Sequence, residues 1–168
     1  KWKFSPAADS DPAPARVDYD DSGWSEIPVP SEWGLCGYPQ TTVGWYRKRI
    51  PLADINARLD EPSAVYLRGA EFADHAEIFV NGALLHTTRA YNEAFELRLD
   101  PACLNGSELV VACRIRNTYF KGGMYWGGIR GYVSLDKKRE CPQRAFTADQ
   151  LRFSLWRSAL HGHDGMAI

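Results

Sequence analysis

Short stretches of alternating apolar and polar residues, separated by tight-turn signals, constrain the fold of this protein more than any other feature. The clearest case is residues 76–86, where two apolar runs flank Asn81-Gly82. Asn-Gly favours a two-residue hairpin because both central turn positions need positive φ. A second Asn-Gly, Asn105-Gly106, precedes residues 109–115, whose alternation places the apolar side chains on one strand face. The pattern predicts a β-hairpin at Asn81-Gly82 and a second tight turn at Asn105-Gly106.

The whole sequence follows this pattern and predicts about nine or ten short strands at even spacing. The predicted strands cover 2–4, 24–29, 43–52, 65–67, 76–80, 84–86, 95–99, 109–116 and 133–135. Residues 5–23, 31–42 and 122–128 are rich in Pro, Gly, Asp or Ser and are predicted to be loops. Strands do not alternate with helical patterns, which excludes a doubly wound α/β fold. The fold class is therefore all-β, a sandwich or barrel.

The C-terminal residues have a different character. Thr147 to Gln150 forms a capping box, because the Thr hydroxyl and the Gln side chain satisfy each other's free backbone amides. Leu151, Leu155 and Ala159 then fall on one helical stripe, and Gly162 follows where a helix commonly ends. We expect a domain over residues 1–136 and an extension over 137–168, with a helix at about 148–160 that docks on another surface.

Charge and hydropathy exclude two classes of partner. The 168 residues include 20 Lys plus Arg and 21 Asp plus Glu, without the basic excess of a nucleic-acid-binding domain. No apolar run approaches the roughly 20 residues that a membrane span needs. Neither a nucleic acid nor a membrane is an expected partner.

The four cysteines do not form a recognised metal motif. No C-x-x-C pair is present, which argues against a structural zinc site. Cys113 lies in an apolar strand pattern and is expected to be a buried free thiol. Two disulfides, Cys36–Cys141 and Cys103–Cys113, remain alternatives to free thiols.

Recognised catalytic motifs are also missing. The sequence has no phosphate-binding G-x-x-x-x-G-K-[ST] loop, no G-x-S-x-G elbow and no H-E-x-x-H helix. His161, His163 and Asp164 could hold a metal, but a solvated tail is the favoured interpretation because metal sites need preorganised ligands. Carboxylates such as Asp18 and Glu96 fall in turns or on solvent-facing strand positions. We expect these residues by themselves to catalyse no reaction.

Aromatic residues are the main chemical resource, with 6 Trp, 8 Tyr and 7 Phe. Such rings bury much area, and sugars present flat C–H faces that stack on them. Two predicted loops, residues 33–38 and 117–128, concentrate aromatic and amide side chains, and loops held by a rigid scaffold commonly bind ligands. The predicted ligand contacts are Trp33, Tyr38, Asn117, Tyr125 and Trp126. The alternative, that Trp33 and Trp126 plug the ends of the core, stays open, whereas Trp45 inside a strand is assigned to the core.

Five segments in order resemble the N-terminal sugar-binding domain of glycoside hydrolase family 2. They resemble the motifs W-x-F, W-x-x-I-x-V-P-x-x-W, G-x-x-W-Y-R-[KR], A-x-V-x-V-N-G and G-G-I-x-R-x-V-x-L of that domain. The segments are Trp2–Phe4, Trp24–Trp33, Val43–Lys48, Ala76–Gly82 and Gly127–Leu135.

This resemblance implies a galactose-binding-like jelly-roll β-sandwich of two antiparallel sheets. In β-galactosidases, β-glucuronidases and β-mannosidases the domain precedes an immunoglobulin-like domain and a (β/α)₈ barrel that carries both catalytic glutamates. The implied function is non-catalytic carbohydrate binding, or the framing of a glycosidase active site. The expected partner is a carbohydrate or glycan, and the family favours a secreted or periplasmic location.

The sequence departs from the family pattern at three places. Ile129 is followed by Arg130-Gly131, where the family has an aromatic and then Arg. Residues 121–126 lack the acid with which some β-galactosidases hold sodium, and no ligand set can be named for a structural calcium ion, so no cofactor is assigned. After Leu135 a helix is predicted in place of an immunoglobulin-like strand.

These departures leave two alternatives to carbohydrate binding. One is a scaffold domain that has lost its sugar contacts and pairs with another protein through the C-terminal helix. The other is a fragment of a β-glycosidase whose catalytic barrel is not within these residues.

Overall fold

The computed structural model describes residues 1–7, 11–57, 59, 63–72, 75–90, 93–118 and 121–135, with the backbone alone at 70–71, 125–127, 130 and 132–135. The protein divides into two compact units, Lys1–Leu135 and Asp136–Ile168. The helix predicted at 148–160, the His161–Asp164 cluster and Cys141 lie outside the described residues.

The described residues form ten strands and one short α-helix, in agreement with the predicted all-β class. The helix, α1, spans Leu52–Asn56, and three single 3₁₀ turns lie at Ala13–Ala15, Gly34–Cys36 and Pro101–Leu104. The strands are β1 Trp2–Pro6, β2 Ser25–Ile27, β3 Ser31–Glu32, β4 Val43–Pro51, β5 Ser63–Phe72, β6 His75–Val80, β7 Ala83–Thr87, β8 Phe95–Arg98, β9 Glu108–Arg116 and β10 Gly123–Leu135.

The strands pack as two antiparallel sheets. One has six strands in the order β2-β1-β4-β9-β6-β7, and the other has four in the order β3-β10-β5-β8. Every pairing is antiparallel, and β4 and β9 pair in register from Val43↔Arg116 to Pro51↔Glu108. The predicted jelly-roll sandwich is confirmed. Since β2 and β3 follow each other in sequence but belong to different sheets, the short segment between them closes one side of the sandwich.

Apolar side chains of alternating residues fill the space between the sheets. On β9, Leu109, Val111, Cys113 and Ile115 all face this core and are at most 1% exposed, as the sequence pattern predicts. Fully burying an aliphatic or Phe side chain stabilises the folded state by about 1.5–3 kcal/mol. The apolar face of each strand therefore fixes its register.

The hairpin at Asn81-Gly82 is confirmed. Asn81 and Gly82 have φ values of 47° and 86°, as the turn requires. The Asn81 side chain adds two contacts beyond the hairpin, because its Oδ1 accepts from the Val110 N–H at 2.9 Å and its Nδ2 donates to the Cys103 carbonyl at 2.8 Å. Asn81 thereby joins the hairpin to β9 and to the Pro101–Leu104 turn.

The outer face of the six-stranded sheet is covered by residues 11–24, which we call the strap. Beneath it, Ala15, Trp45, Phe79 and Ala112 form a second apolar cluster. Residues 5–23 were predicted to be a surface loop, but Pro14 and Ala15 within them are buried. The prediction was wrong for this part because Trp45 needs a cover that the local sequence does not reveal.

Two arginines of β4 hold the strap in place. Arg47 is fully buried, and its guanidinium donates from Nε to Asp21 at 2.8 Å and from Nη1 to the carbonyls of Pro14 and Arg16. Arg49 donates to the carbonyls of Val17 and Tyr19, each at 3.1 Å. A buried charge needs partners of this kind to offset the loss of hydration.

One further expectation needs correction, and one alternative left open by the sequence is excluded. Residues 122–128 were predicted to form a loop, but from Gly123 onward they belong to β10, which pairs with β3 and β5 and has an irregularity between Met124 and Gly128. The disulfides Cys36–Cys141 and Cys103–Cys113 are not formed, because Cys36, Cys103 and Cys113 are free thiols. Cys113 is buried in the core, as predicted.

Candidate functional site

Both segments that were predicted to carry the ligand contacts lie at one end of the sandwich. We call this region, residues 32–42 with 117–118 and 121–123, the loop end. The Trp33 N–H donates to the Gly122 carbonyl at 3.0 Å, and the Asn117 N–H donates to the Thr42 carbonyl at 2.8 Å. Lys121 Nζ also reaches Glu32 Oε1 at 3.3 Å. The two segments therefore form one continuous surface, although they are far apart in sequence.

Trp33 forms the floor of the loop end and not its surface. Its side chain is 1% exposed, its Nε1 donates to the Tyr46 hydroxyl at 2.9 Å, and its ring lies 5.7 Å from the Phe4 ring. The expectation that Trp33 stacks on a ligand needs correction, because neither ring face is open to solvent. Trp33 instead plugs the end of the core, which was the alternative interpretation.

Two glycines make room for this buried indole. A Cβ on Gly122 would lie 2.0 Å from Trp33 Cε3, and a Cβ on Gly44 would lie 2.8 Å from Trp33 Cζ2. Gly122 also has φ of 44°, a conformation that other L-residues rarely adopt. The backbone can therefore cross directly over the indole ring only because a glycine stands at position 122.

The Tyr46 hydroxyl completes the floor. It accepts from Trp33 Nε1 and, at 3.4 Å, from the Met124 N–H. Burial raises the pKa of Tyr46 far above its usual range, because an apolar environment disfavours the phenolate. Tyr46 therefore stays neutral and serves as a fixed hydrogen-bonding group below the surface.

Tyr38 is the predicted contact that combines a defined ring position with partial exposure to solvent. Its side chain is half-buried, with its ring 4.9 Å from the Phe4 ring, edge to face, and its hydroxyl donates to Ser25 Oγ at 2.7 Å. The Tyr38 N–H donates to the Trp33 carbonyl at 2.9 Å, which fixes the backbone. Tyr38 thus offers a partly open aromatic ring on a rigid support.

The remaining predicted contacts divide into two groups. Asn117 lies half-buried at the loop end, and it has an interaction partner in the fold. Tyr125 and Trp126 lie within β10, at the irregularity between Met124 and Gly128, and their side chains are outside the described residues. Of the predicted surface contacts, Tyr38 and Asn117 therefore both lie at the loop end.

The sequence analysis did not identify three other groups at or beside the loop end. Leu35 is 82% exposed and stands at the tip of the Gly34–Cys36 turn. Glu32 and Lys121 form an ion pair at the rim, and the Cys36 thiol donates to Ser31 Oγ at 3.2 Å. The two glycines that flank Leu35 and Cys36, Gly34 and Gly37, were the signal that could have marked a projecting apolar residue.

Two searches of the described residues gave no further site. Within those residues, no group of three or more His, Cys, Asp or Glu side chains is placed to hold a metal ion. Over the same part of the protein, no helix is long and apolar enough to cross a membrane.

Solved structures that resemble the described sandwich include glycosidases. The described sandwich is similar to a glycosyl hydrolase family 2 member from Bacteroides cellulosilyticus, with a TM-score of 0.62, 22% identity, and coverage of 79% of this protein and 20% of that one. It is also similar to a β-glycosidase from Bacteroides vulgatus, with a TM-score of 0.63, 19% identity, and coverage of 80% and 19%. At these identities the similarity shows the shared fold.

The relatives that sequence comparison finds are β-galactosidases. A β-galactosidase from Vibrio cholerae is 29% identical over 140 residues, covering 69% of this protein and 13% of that one. A β-galactosidase from Psychromonas ingrahamii is 35% identical over 71 residues, covering 39% of this protein and 7% of that one. No protein-family model matches the sequence. The resemblance to the N-terminal domain of glycoside hydrolase family 2 is thus confirmed, and the matched region spans only 13% of the length of the Vibrio cholerae relative.

Proposed function

We propose that this protein is a non-catalytic carbohydrate-binding domain of the family 2 glycosidase type, and that the loop end contacts the sugar. The observation that supports the proposal most is the junction of residues 32–42 with 117–118 and 121–123 at one end of the sandwich, held by the hydrogen bond from the Asn117 N–H to the Thr42 carbonyl. A half-buried aromatic ring, an exposed aliphatic side chain and an ion pair belong to that end. The combination suits the apolar faces and hydroxyl groups of a saccharide.

Tyr38 is the proposed stacking residue. Its hydroxyl is bound to Ser25 and its ring packs against Phe4, so the ring is oriented before a ligand arrives. Preorganisation lowers the entropy cost of binding. Asn117 supplies an amide group at the rim, and the Glu32–Lys121 pair supplies a carboxylate and an ammonium group.

The affinity of such a site is expected to be low. One stacked ring and a few hydrogen bonds provide about −4 kcal/mol, which corresponds to a millimolar dissociation constant. Binding at this strength requires a direct method at high ligand concentration.

The test is a titration of the 168-residue protein with a panel of neutral and acidic mono- and oligosaccharides, followed by chemical shifts. Saturable shifts of loop-end resonances are expected, and they should be lost in Tyr38→Ala. Tyr38→Phe is the matched control, because it keeps the ring and removes only the hydroxyl, and it should retain binding. No response at up to tens of millimolar, which corresponds to about −2 kcal/mol, would refute carbohydrate binding and leave the scaffold alternative.

The coverage of the relatives favours a second candidate function. The matched region accounts for 13% of the Vibrio cholerae β-galactosidase and 20% of the Bacteroides cellulosilyticus glycosidase. The domain could accordingly act as one part of a longer β-glycosidase, framing an active site supplied by a catalytic barrel. The test is the genomic sequence: a downstream reading frame with a barrel and its two glutamates supports this candidate, and an unrelated downstream gene removes it.

A further inference from the structure

The sequence contains two Asn-Gly pairs, and the fold places them in opposite environments. Asn-Gly is the dipeptide in which the following backbone nitrogen most easily reaches the asparagine Cγ, because glycine has no Cβ to obstruct the approach. Asn81-Gly82 forms the β6–β7 hairpin turn, and Asn105-Gly106 lies between the Pro101–Leu104 turn and β9. The two pairs therefore allow the rate of this attack on the asparagine side chain to be compared within one protein.

The Asn81 side chain is held at both polar atoms. Oδ1 accepts from the Val110 N–H at 2.9 Å, and Nδ2 donates to the Cys103 carbonyl at 2.8 Å. The Asn81 N–H also donates to the Val110 carbonyl at 2.9 Å, so the backbone is fixed as well. Attack by the Gly82 nitrogen would require the amide to turn away from both partners.

The Asn105 side chain has no such restraint. Asn105, Gly106 and Ser107 are all exposed, and within the described part of the protein no hydrogen bond is made to the Asn105 side chain. A Cβ on Gly106 would meet nothing within 4 Å, so the peptide there has free space in which to rotate.

We propose that Asn105 is a site of spontaneous deamidation and that the fold protects Asn81 from the same reaction. The Gly106 backbone nitrogen attacks Asn105 Cγ, and a new bond forms between these two atoms. The bond from Cγ to Nδ2 breaks, and the proton of the Gly106 N–H leaves with Nδ2 as ammonia. Water then opens the cyclic imide at either carbonyl to give aspartate or isoaspartate. Water is the only co-reactant, and no electrons are exchanged.

The modification changes the charge and the backbone length near the start of β9. Either product adds one negative charge to a protein whose formal net charge is −1, and isoaspartate also adds a methylene group to the backbone. β9 spans nine residues, from Glu108 to Arg116, so Asn105 and the loop end lie at opposite ends of that strand, about 30 Å apart. The modification should therefore leave saccharide binding at the loop end unchanged.

The test is peptide mapping of the 168-residue protein after incubation in mildly alkaline water enriched in ¹⁸O. Label should enter at residue 105, and the reaction at Asn81 should be about thirtyfold slower, which is the effect of releasing two hydrogen bonds worth ~2 kcal/mol together. In concentrated urea both sites should react at similar rates. Asn105→Gln is the matched control and should take up no label at that position.

Three outcomes would overturn the proposal. Equal rates at Asn81 and Asn105 in the folded protein would show that the contacts to Val110 and Cys103 give no protection. An unmodified Asn105 in the folded protein, with both sites reacting in urea, would show that the exposed turn does not permit the attack. A rate difference that persists in urea would assign the effect to local sequence and not to the fold.

Discussion

The buried position of Trp33 beneath Gly122 can be tested by adding one methyl group. Gly122→Ala would place a Cβ 2.0 Å from Trp33 Cε3 and 2.4 Å from Cζ3, on a backbone with φ of 44°. Gly37→Ala is the matched control, because Gly37 also has positive φ, 91°, but a Cβ there meets nothing within 4 Å. The two variants share the backbone cost and differ in the steric overlap.

The magnitudes follow from these two contributions. A left-handed backbone costs an alanine about 1–2 kcal/mol, which is the expected loss of unfolding free energy for Gly37→Ala. Overpacking a filled core adds about 1–3 kcal/mol, so Gly122→Ala should lose about 2–5 kcal/mol. The indole cannot move aside, because Phe4 packs against it and Tyr46 binds its Nε1.

The assay is urea unfolding followed by tryptophan fluorescence, with the midpoint and slope fitted for each variant. Two more variants, Trp33→Leu alone and Trp33→Leu with Gly122→Ala, measure the coupling. The shorter side chain removes the overlap, so the double variant should be more stable than the sum of the two single losses predicts. Equal losses for Gly122→Ala and Gly37→Ala, or strict additivity in the double variant, would refute the placement of Trp33 under Gly122.

Three further predictions concern other parts of the fold. Asn81→Ala should lower the unfolding free energy by about 2–4 kcal/mol in a denaturant titration, because it leaves two backbone groups of Val110 and Cys103 without partners; a loss under about 0.5 kcal/mol would contradict this. Asp21→Ala should lower the unfolding free energy by about 3 kcal/mol and lower the melting temperature, since it removes the carboxylate that binds the fully buried Arg47. An unchanged melting temperature would show that the strap carbonyls alone are enough to stabilise the buried guanidinium. Burial raises the pKa of the Cys113 thiol, so a thiolate-directed reagent should label Cys113 only after unfolding. The half-buried Cys36 and Cys103 should react in the native protein, and labelling of native Cys113 would contradict its burial.

Local patterns were sufficient to predict much of the sandwich. The Asn81-Gly82 hairpin and the apolar face of β9 depend on residues that are close together in sequence, and both are confirmed. The candidate site was harder to predict, because the position of Trp33 depends on Gly122, which is distant in sequence. The turn signals of residues 122–128 also concealed a strand, since positive φ at Gly122, Gly123 and Gly128 accompanies an irregular strand as readily as a loop.

The burial of Arg47 also could not be predicted from the local sequence. In an alternating strand an arginine between Tyr46 and Lys48 is expected to face solvent. Here the strap covers it, and the partners Pro14, Arg16 and Asp21 come from a segment that resembles an exposed loop in composition. Neither the strand pattern nor the loop composition predicts the contact between Arg47 and the strap.

The strap also has a consequence for how fast the domain opens. Its contacts join residues 14–21 to Arg47 and Arg49. We expect them to form after β4, β6 and β9 have paired, because the apolar cluster beneath the strap contains Trp45, Phe79 and Ala112, one residue from each of these strands. Interactions that are absent from the folding transition state retard unfolding and leave the folding rate nearly unchanged. Substitutions in the strap should therefore increase the unfolding rate constant and leave the folding rate constant nearly unchanged in a chevron plot. Residues 11–24 would then determine how long the folded domain persists before it unfolds.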